Sequence, residues 1–323
     1  MIRNRTKWQL PAIACLALVA ACTLSPVQHL AASSKQSSAK PTHGKPLVID
    51  AHRHVGSGGF LGEYPVSDLL QEMEKLGIDK TVILPMGEMP KSPEENVRME
   101  AEVNKANDDY FNKGIVTEAV KKLRSDRVDH TYVINALRQH PDKLVGVYML
   151  NPWLGKGELD AAEKAIRHQG FRGLKLHPMG NSFRADDAVV DPVLRLARRL
   201  QVPVMFHTSY GLGTEPWRVA KIAERFPDVN IIMYHAGIQP HAADAIKAAK
   251  EHRNIFFDTA HSEPDILKAV LEQVPPEQII FGTDAPWGKW KTKFELVRNS
   301  TAARPDMQRL VMGENIVRVM RLR

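Results

Sequence analysis

The stretch FRGLKLHP (residues 171–178) is a short apolar run that ends on polar and histidine residues. Its rhythm returns in VPVMFHTS (202–209), VNIIMYHAG (229–237), NIFFDTAH (254–261) and QIIFGTDAPW (278–287). Between these runs lie DPVLRLARRLQ (191–201), PWRVAKIAERF (216–226), HAADAIKAAKEH (241–252) and EPDILKAVLEQ (263–273), whose apolar residues recur at helical spacing. Short apolar strands alternating with amphipathic helices predict parallel β-α units.

The same pattern extends toward the N-terminus. KLVGVYMLNPW (143–153) reads as a strand followed by the helix ELDAAEKAIRHQ (158–169), KTVILPMG (80–87) follows the helix VSDLLQEMEKLG (66–77), and PLVIDAHRH (46–54) comes first. That makes eight strands, the number of a TIM barrel, and the chain length suits one such domain. The predicted fold is therefore α/β, a TIM (β/α)8 barrel over residues 46–323. A helical insertion is expected between strands two and three, across 92–142, as a lid over the barrel mouth and not a second domain.

Chemistry in such barrels sits at the carboxyl ends of the strands. Strand one ends on His52 and His54, which share a face while Arg53 takes the other. Two imidazoles on one face can share a metal ion, although an isolated H-x-H reads as easily as two solvated histidines. The other strands decide: strand four ends on Lys175 and His177, five on His207, six on His235 and eight on Asp284. His177 also fits a loop histidine bonded to backbone, and Lys175 an internal ion pair. His207, His235 and Asp284 each follow a strongly apolar run, where burial without a partner is costly.

Residues 1–45 differ in kind. Arg3, Arg5 and Lys7 precede an apolar run too short for a comfortable membrane span, which predicts an export signal over 1–21. Val19, Ala20, Ala21 and Cys22 resemble a bacterial lipobox, so Cys22 is expected to be the acylated N-terminus, with a flexible tether over 22–45. That places the protein in the periplasm or on the outer membrane, anchored through lipid; a soluble periplasmic or secreted form is the alternative. Cys15 and Cys22 are the only cysteines, so a metal in the mature domain must be held by His, Asp or Glu.

The formal charge of +7 falls by three when Arg3, Arg5 and Lys7 leave with the signal. Acids and bases are interspersed beyond residue 60, and no aromatic-basic stripe suggests a nucleic-acid partner. A small, anionic substrate is compatible with this balance.

DAHRH, GLKLHP, VPVMFHT, IIMYHAG, FGTDAPW and the closing MGENIVRVM (312–320), taken in order, resemble the amidohydrolase superfamily, in the amidohydrolase-related branch that includes aminocarboxymuconate-semialdehyde decarboxylase. The resemblance runs from about residue 47 to the C-terminus. It implies one divalent ion, most often zinc, held by His52, His54, His207 and Asp284, with His235 as a catalytic acid or base beside Asp284. Neutral imidazoles with one carboxylate suit zinc, and an open position leaves room for water. Superfamily members with two metals carry a carboxylated lysine at the end of strand four, so Lys175 permits a second ion; the branch points to one, with Lys175 as a substrate-binding cation. It also makes a homodimer a common assembly.

Around these residues His177, Arg184 and Trp287 are candidate substrate contacts, Arg184 for a carboxylate, and Trp153, Tyr210 and His261 are candidate pocket walls. The expected activity is hydrolysis of an amide, lactone or related ester bond by metal-activated water. Non-oxidative decarboxylation of an unsaturated or aromatic acid is the alternative. A non-catalytic ligand-binding lipoprotein is the third reading, disfavoured because a binder has no use for an acid-base residue among the ligands.

Overall fold

The computed structural model describes residues 46–322 apart from 88, 89, 210, 288 and 289. The signal, Cys22 and the tether lie outside the described residues. All eight expected strands are present: β1 (Ile49–Ser57), β3 (Lys80–Pro85), β4 (Leu144–Met149), β5 (Phe171–Leu176), β6 (Val204–His207), β7 (Ile231–Tyr234), β8 (Ile255–Asp258) and β9 (Ile279–Ile280). A two-residue strand not foreseen from sequence, β2 (Glu63–Tyr64), pairs antiparallel with the end of β1.

From β1 through β3 to β9 the neighbours pair in parallel, in chain order. Backbone hydrogen bonds then return the chain to its start: Ala51 N–H donates to Phe281 O, His54 N–H to Ala285 O and Asp284 N–H to His52 O, at 2.8–3.0 Å. These bonds close the sheet into a TIM barrel. The ladder of β9 is short because 281–285 bends toward β1.

The apolar residues form two layers. Ile49, Ala51, Val82, Val147, Met205, Ile232, Phe256 and Ile280 fill the barrel interior, and Ile316, Val319 and Met320 of the helix Asn315–Met320 join them from below. The larger layer lies between strands and surrounding helices and includes Leu174, Phe206, Met233 and Phe257, which alternate with the interior positions. Among the described residues the core runs from Val48 to Leu322.

Between β3 and β4 the chain forms three helices. α2 (Pro93–Lys113) follows α1 (Val66–Leu76), and α3 (Glu118–Ser125) and α4 (Thr131–Gln139) come next. Ser92 caps α2 by accepting from Glu95 N–H at 3.1 Å, Pro93 occupies the first turn, and Gly114 ends it at φ 71°. α2 and α3 are tied to the loop after β4 through Arg124, whose guanidinium lies over the rings of Tyr110 and Trp153 at 3.9 and 4.0 Å.

Candidate metal centre

Strict alternation along β1 would put His52 and His54 on the wrong side. Ile49 and Ala51 point into the barrel, and continuing that register would send Arg53 inward. Pairing with β3 instead slips by one residue between Asp50 and Arg53. The extra residue turns His52 and His54 inward and sends Arg53 outward, to an ion pair with Glu72 of α1. His235 is redirected differently. Tyr234 already points inward, and His235 follows in the left-handed region at φ 63°; Asp284 (φ 54°) and His261 (φ 60°) also stand there. Such conformations are costly for non-glycine residues and gather where a site demands them.

Asp284 is the hub. Its Oδ1 lies 2.9 Å from His52 Nε2 and 3.6 Å from His54 Nε2, while Oδ2 lies 3.4 Å from His235 Nδ1 and 2.8 Å from His261 Nε2. Two of these imidazoles are oriented from behind. His52 Nδ1 meets Asp258 Oδ2 at 2.9 Å, and His54 Nδ1 donates to the Pro85 carbonyl at 2.8 Å, so both Nε2 atoms face Asp284. Tyr234 stacks on His52 with centroids 3.6 Å apart and donates its hydroxyl to Ala51 O.

Burial alone would raise the Asp284 carboxyl, but the charge of His52 and the hydrogen bond from His261 outweigh it and hold the group well below the usual carboxylate range. Desolvation pushes His54 and His177 down to about 3, and His207 and His235 well below their ordinary value. Their imidazoles are neutral at physiological pH, the form that ligates metal. Lys175 is lowered to about 8, its burial partly offset by Asp284 and Asp258, and its ammonium sits 4.4 Å above the Tyr234 ring.

The residues fit a divalent ion. His207 Nε2 and His235 Nδ1 are buried atoms without a hydrogen-bond partner, and His52 Nε2 and Asp284 Oδ1 face only each other without a well-formed hydrogen bond, a costly state that a shared cation relieves. Donor atoms of His52, His235 and Asp284 all lie within 4.8 Å of one another. Ligands at about 2.0–2.2 Å from a tetrahedral ion sit roughly 3.3–3.6 Å apart, close to the spacings from Asp284 to His54 and His235.

Of the residues expected from sequence, His52, His54, His235 and Asp284 come together here. His207 stands one ring further out, 4.5 Å from His235 between centroids and stacked on His177 at 4.0 Å. His177 Nδ1 accepts from Gly180 N–H, and Trp287 meets His54 edge-on at 4.7 Å. Arg184 is engaged elsewhere: its guanidinium donates to Phe111 O and lies over that ring. Trp153 donates to Asn181 O beside Arg124, and Tyr210 lies outside the described residues. Sequence reasoning missed Asp258. Its signal was present in NIFFDTAH, where a carboxylate ends an apolar run at the level of the neighbouring strands' histidines.

An amidohydrolase family model matches residues 49–322. Among curated proteins, none matches the chain significantly. Solved structures do resemble it. One is 5-carboxyvanillate decarboxylase from Sphingomonas paucimobilis, at 13% identity and TM-score 0.58, covering 86% of this chain and 100% of that one. Another is 4-oxalomesaconate hydratase from Rhodopseudomonas palustris, at 16% and 0.58, covering 85% and 96%. A third is a probable 2-pyrone-4,6-dicarboxylic acid hydrolase from Acinetobacter baumannii, at 14% and 0.55, covering 85% and 99%. At these identities the likeness establishes the shared fold. The family model spans the whole barrel, and the chain belongs to the amidohydrolase family.

Proposed function

We propose that this chain is a metal-dependent hydrolase that cleaves an amide, lactone or related ester bond of a small molecule. The observation that carries the reading is the ionised, buried Asp284 placed between imidazoles on both of its oxygens. His52, His54 and Asp284 would hold the ion, with His207 as the further imidazole. A divalent ion there supplies Lewis acidity, acidifying a water and polarising a carbonyl oxygen.

The chain's own residues handle the proton. Asp284 takes it from the attacking water at Oδ2, where His235 Nδ1 and His261 Nε2 stand within 3.4 and 2.8 Å. His235, neutral until then, delivers it to the leaving group. His261 is partly exposed, so it also connects Oδ2 with solvent. Lys175 offers a buried cation for an anionic substrate.

That ammonium favours a second reading, non-oxidative decarboxylation of an unsaturated or aromatic acid, with Lys175 facing the carboxylate and His235 supplying the proton that replaces carbon dioxide. Residues 1–45 argue for hydrolysis, because ring-acid catabolism is ordinarily cytoplasmic and the segment reads as an export signal with Cys22 as a lipid anchor. The deciding experiment incubates the metal-loaded protein with panels of lactones, esters, amides and aromatic acids, following acid release and carbon dioxide separately. Acid release that Asp284→Asn abolishes supports the hydrolase. Carbon dioxide release alone supports the decarboxylase, and binding without turnover of any panel supports a binding protein.

A further inference from the structure

We propose that the end of the barrel opposite the metal centre is a docking surface for anionic lipid headgroups. Because the strands are parallel, every turn that leads into a strand lies at this end, as does Pro46, where the described chain begins. The helix Asn315–Met320 closes it: Met320 approaches Gly173 inside the barrel, and the backbone at Leu47 lies against Gly313.

Exposed bases surround that closure. Lys143 precedes β4, Arg172 lies at the start of β5, Arg253 precedes β8, and Arg318 and Arg321 stand on and just past the last helix. The helix dipole accounts for cations in the last turns of helices, but Lys143, Arg172 and Arg253 lie outside any helix. The hydrogen-bond partners of Arg172, Arg318 and Arg321 are neutral: carbonyls of Ile166, Phe171 and Glu277, and the side-chain amides of Asn315 and Gln201. None of these three guanidinium groups has a carboxylate among its hydrogen-bond partners.

Several acids at this end are already occupied. Asp79 accepts from Val48 N–H, Asp228 pairs with Arg198, and Glu163 is shared by Arg167 and Arg199. Glu74, Asp142, Glu224, Glu251 and Glu277 remain to offset the bases. At the opposite end α2 carries six carboxylates against three bases and α3 one against three, so acids and bases are mixed there.

A lipid surface suits this arrangement better than nucleic acid. The bases are spread over the turns of one end, and among the described residues its exposed large apolar side chain is Leu47, with no aromatic beside it. Dispersed cations add their attractions to an anionic leaflet without requiring a groove. Docked this way, the protein turns its metal centre toward the aqueous side. The inference does not depend on the catalytic reading or on acylation of Cys22.

The test uses a chain beginning at Pro46, which contains the barrel that the family model matches and lacks the predicted anchor. It is sedimented with vesicles of phosphatidylglycerol and phosphatidylcholine, and with phosphatidylcholine alone, at low and high salt. Binding only to the anionic vesicles, lost at high salt, is expected. The triple variant Lys143→Glu, Arg172→Glu and Arg253→Glu should weaken it at least about tenfold, whereas Lys91→Glu, Arg98→Glu and Lys122→Glu at the other end should leave it within about twofold. Thermal melts check that each variant folds, and the glutamine versions of the first set replace any that do not. No anionic-vesicle binding, equal loss in both sets, or displacement by random-sequence DNA with the vesicle site lost to the same variants would overturn the proposal.

Discussion

Asp258 Oδ2 lies 2.9 Å from Nδ1 of His52, and this contact fixes which imidazole nitrogen faces Asp284. With Nδ1 engaged behind, Nε2 is left as the free donor atom. Asp258→Asn keeps the side chain's shape but removes the charge that orients the ring. Metal affinity should fall about tenfold to a hundredfold, as for other partners that orient a ligand. A chelator-competition titration measures this, and unchanged affinity would show that His52 does not hold the ion.

His235 is the nearest rival for a ligand role, because it shares the tightest group with His52 and Asp284. His235→Asn should retain the metal and lower turnover about 10²–10⁴-fold, the range of a lost proton carrier. Metal analysis of the purified variant separates the roles: loss of the ion would make His235 a ligand.

Gly282 gives a steric prediction. A Cβ there would stand 2.2 Å from Asp258 Oδ1 and 2.9 Å from His52 Cβ. Gly282→Ala must therefore push apart the pair that orients His52. Overpacking of this kind costs about 1–3 kcal/mol. Urea unfolding should register that loss together with weakened metal binding, whereas stability without metal affinity would point to a local shift confined to Asp258.

Away from the metal centre, His130 gives a pH prediction. Burial lowers it to about 4, and its Nε2 accepts the Met149 N–H at 3.1 Å. The unfolded chain binds this proton from about pH 6.5 downward while the folded protein does so only near 4, so stability falls as pH drops through that window. The loss from this group is roughly 3 kcal/mol. The difference in urea midpoint between the wild type and His130→Gln should therefore shrink between pH 7 and 4. A difference constant with pH would contradict the assignment.

Much of this architecture was legible because a parallel barrel writes its strands as short apolar runs and its catalytic level as the residues that end them. The recurrence from Phe171 to Trp287 located five strands, and β1, β3 and β4 followed from the same grammar. What sequence could not supply was direction. Alternation makes His52 and His54 share a face, but only the slipped register after Asp50 decides that this face is inward. For the same reason the left-handed turn at His235 was invisible: nothing in YHAG distinguishes it from one more alternating position. Asp258 went unnoticed because a lone carboxylate on β8 gains meaning only when barrel closure brings it against β1, 206 residues earlier. Arg184 stood in a loop open to either role, and its contact with Phe111 depends on how α2 packs, which local pattern does not encode.

The most direct test is elemental analysis of the purified chain beginning at Pro46, beside its His52→Ala and Asp284→Ala variants. About one divalent ion per wild-type chain, zinc above others, is expected, with well under half an equivalent in either variant. About two per chain would bring Lys175 in as a carboxylated bridge. No metal in the wild type after reconstitution, or an equal content in all three proteins, would contradict a metal centre built on His52 and Asp284.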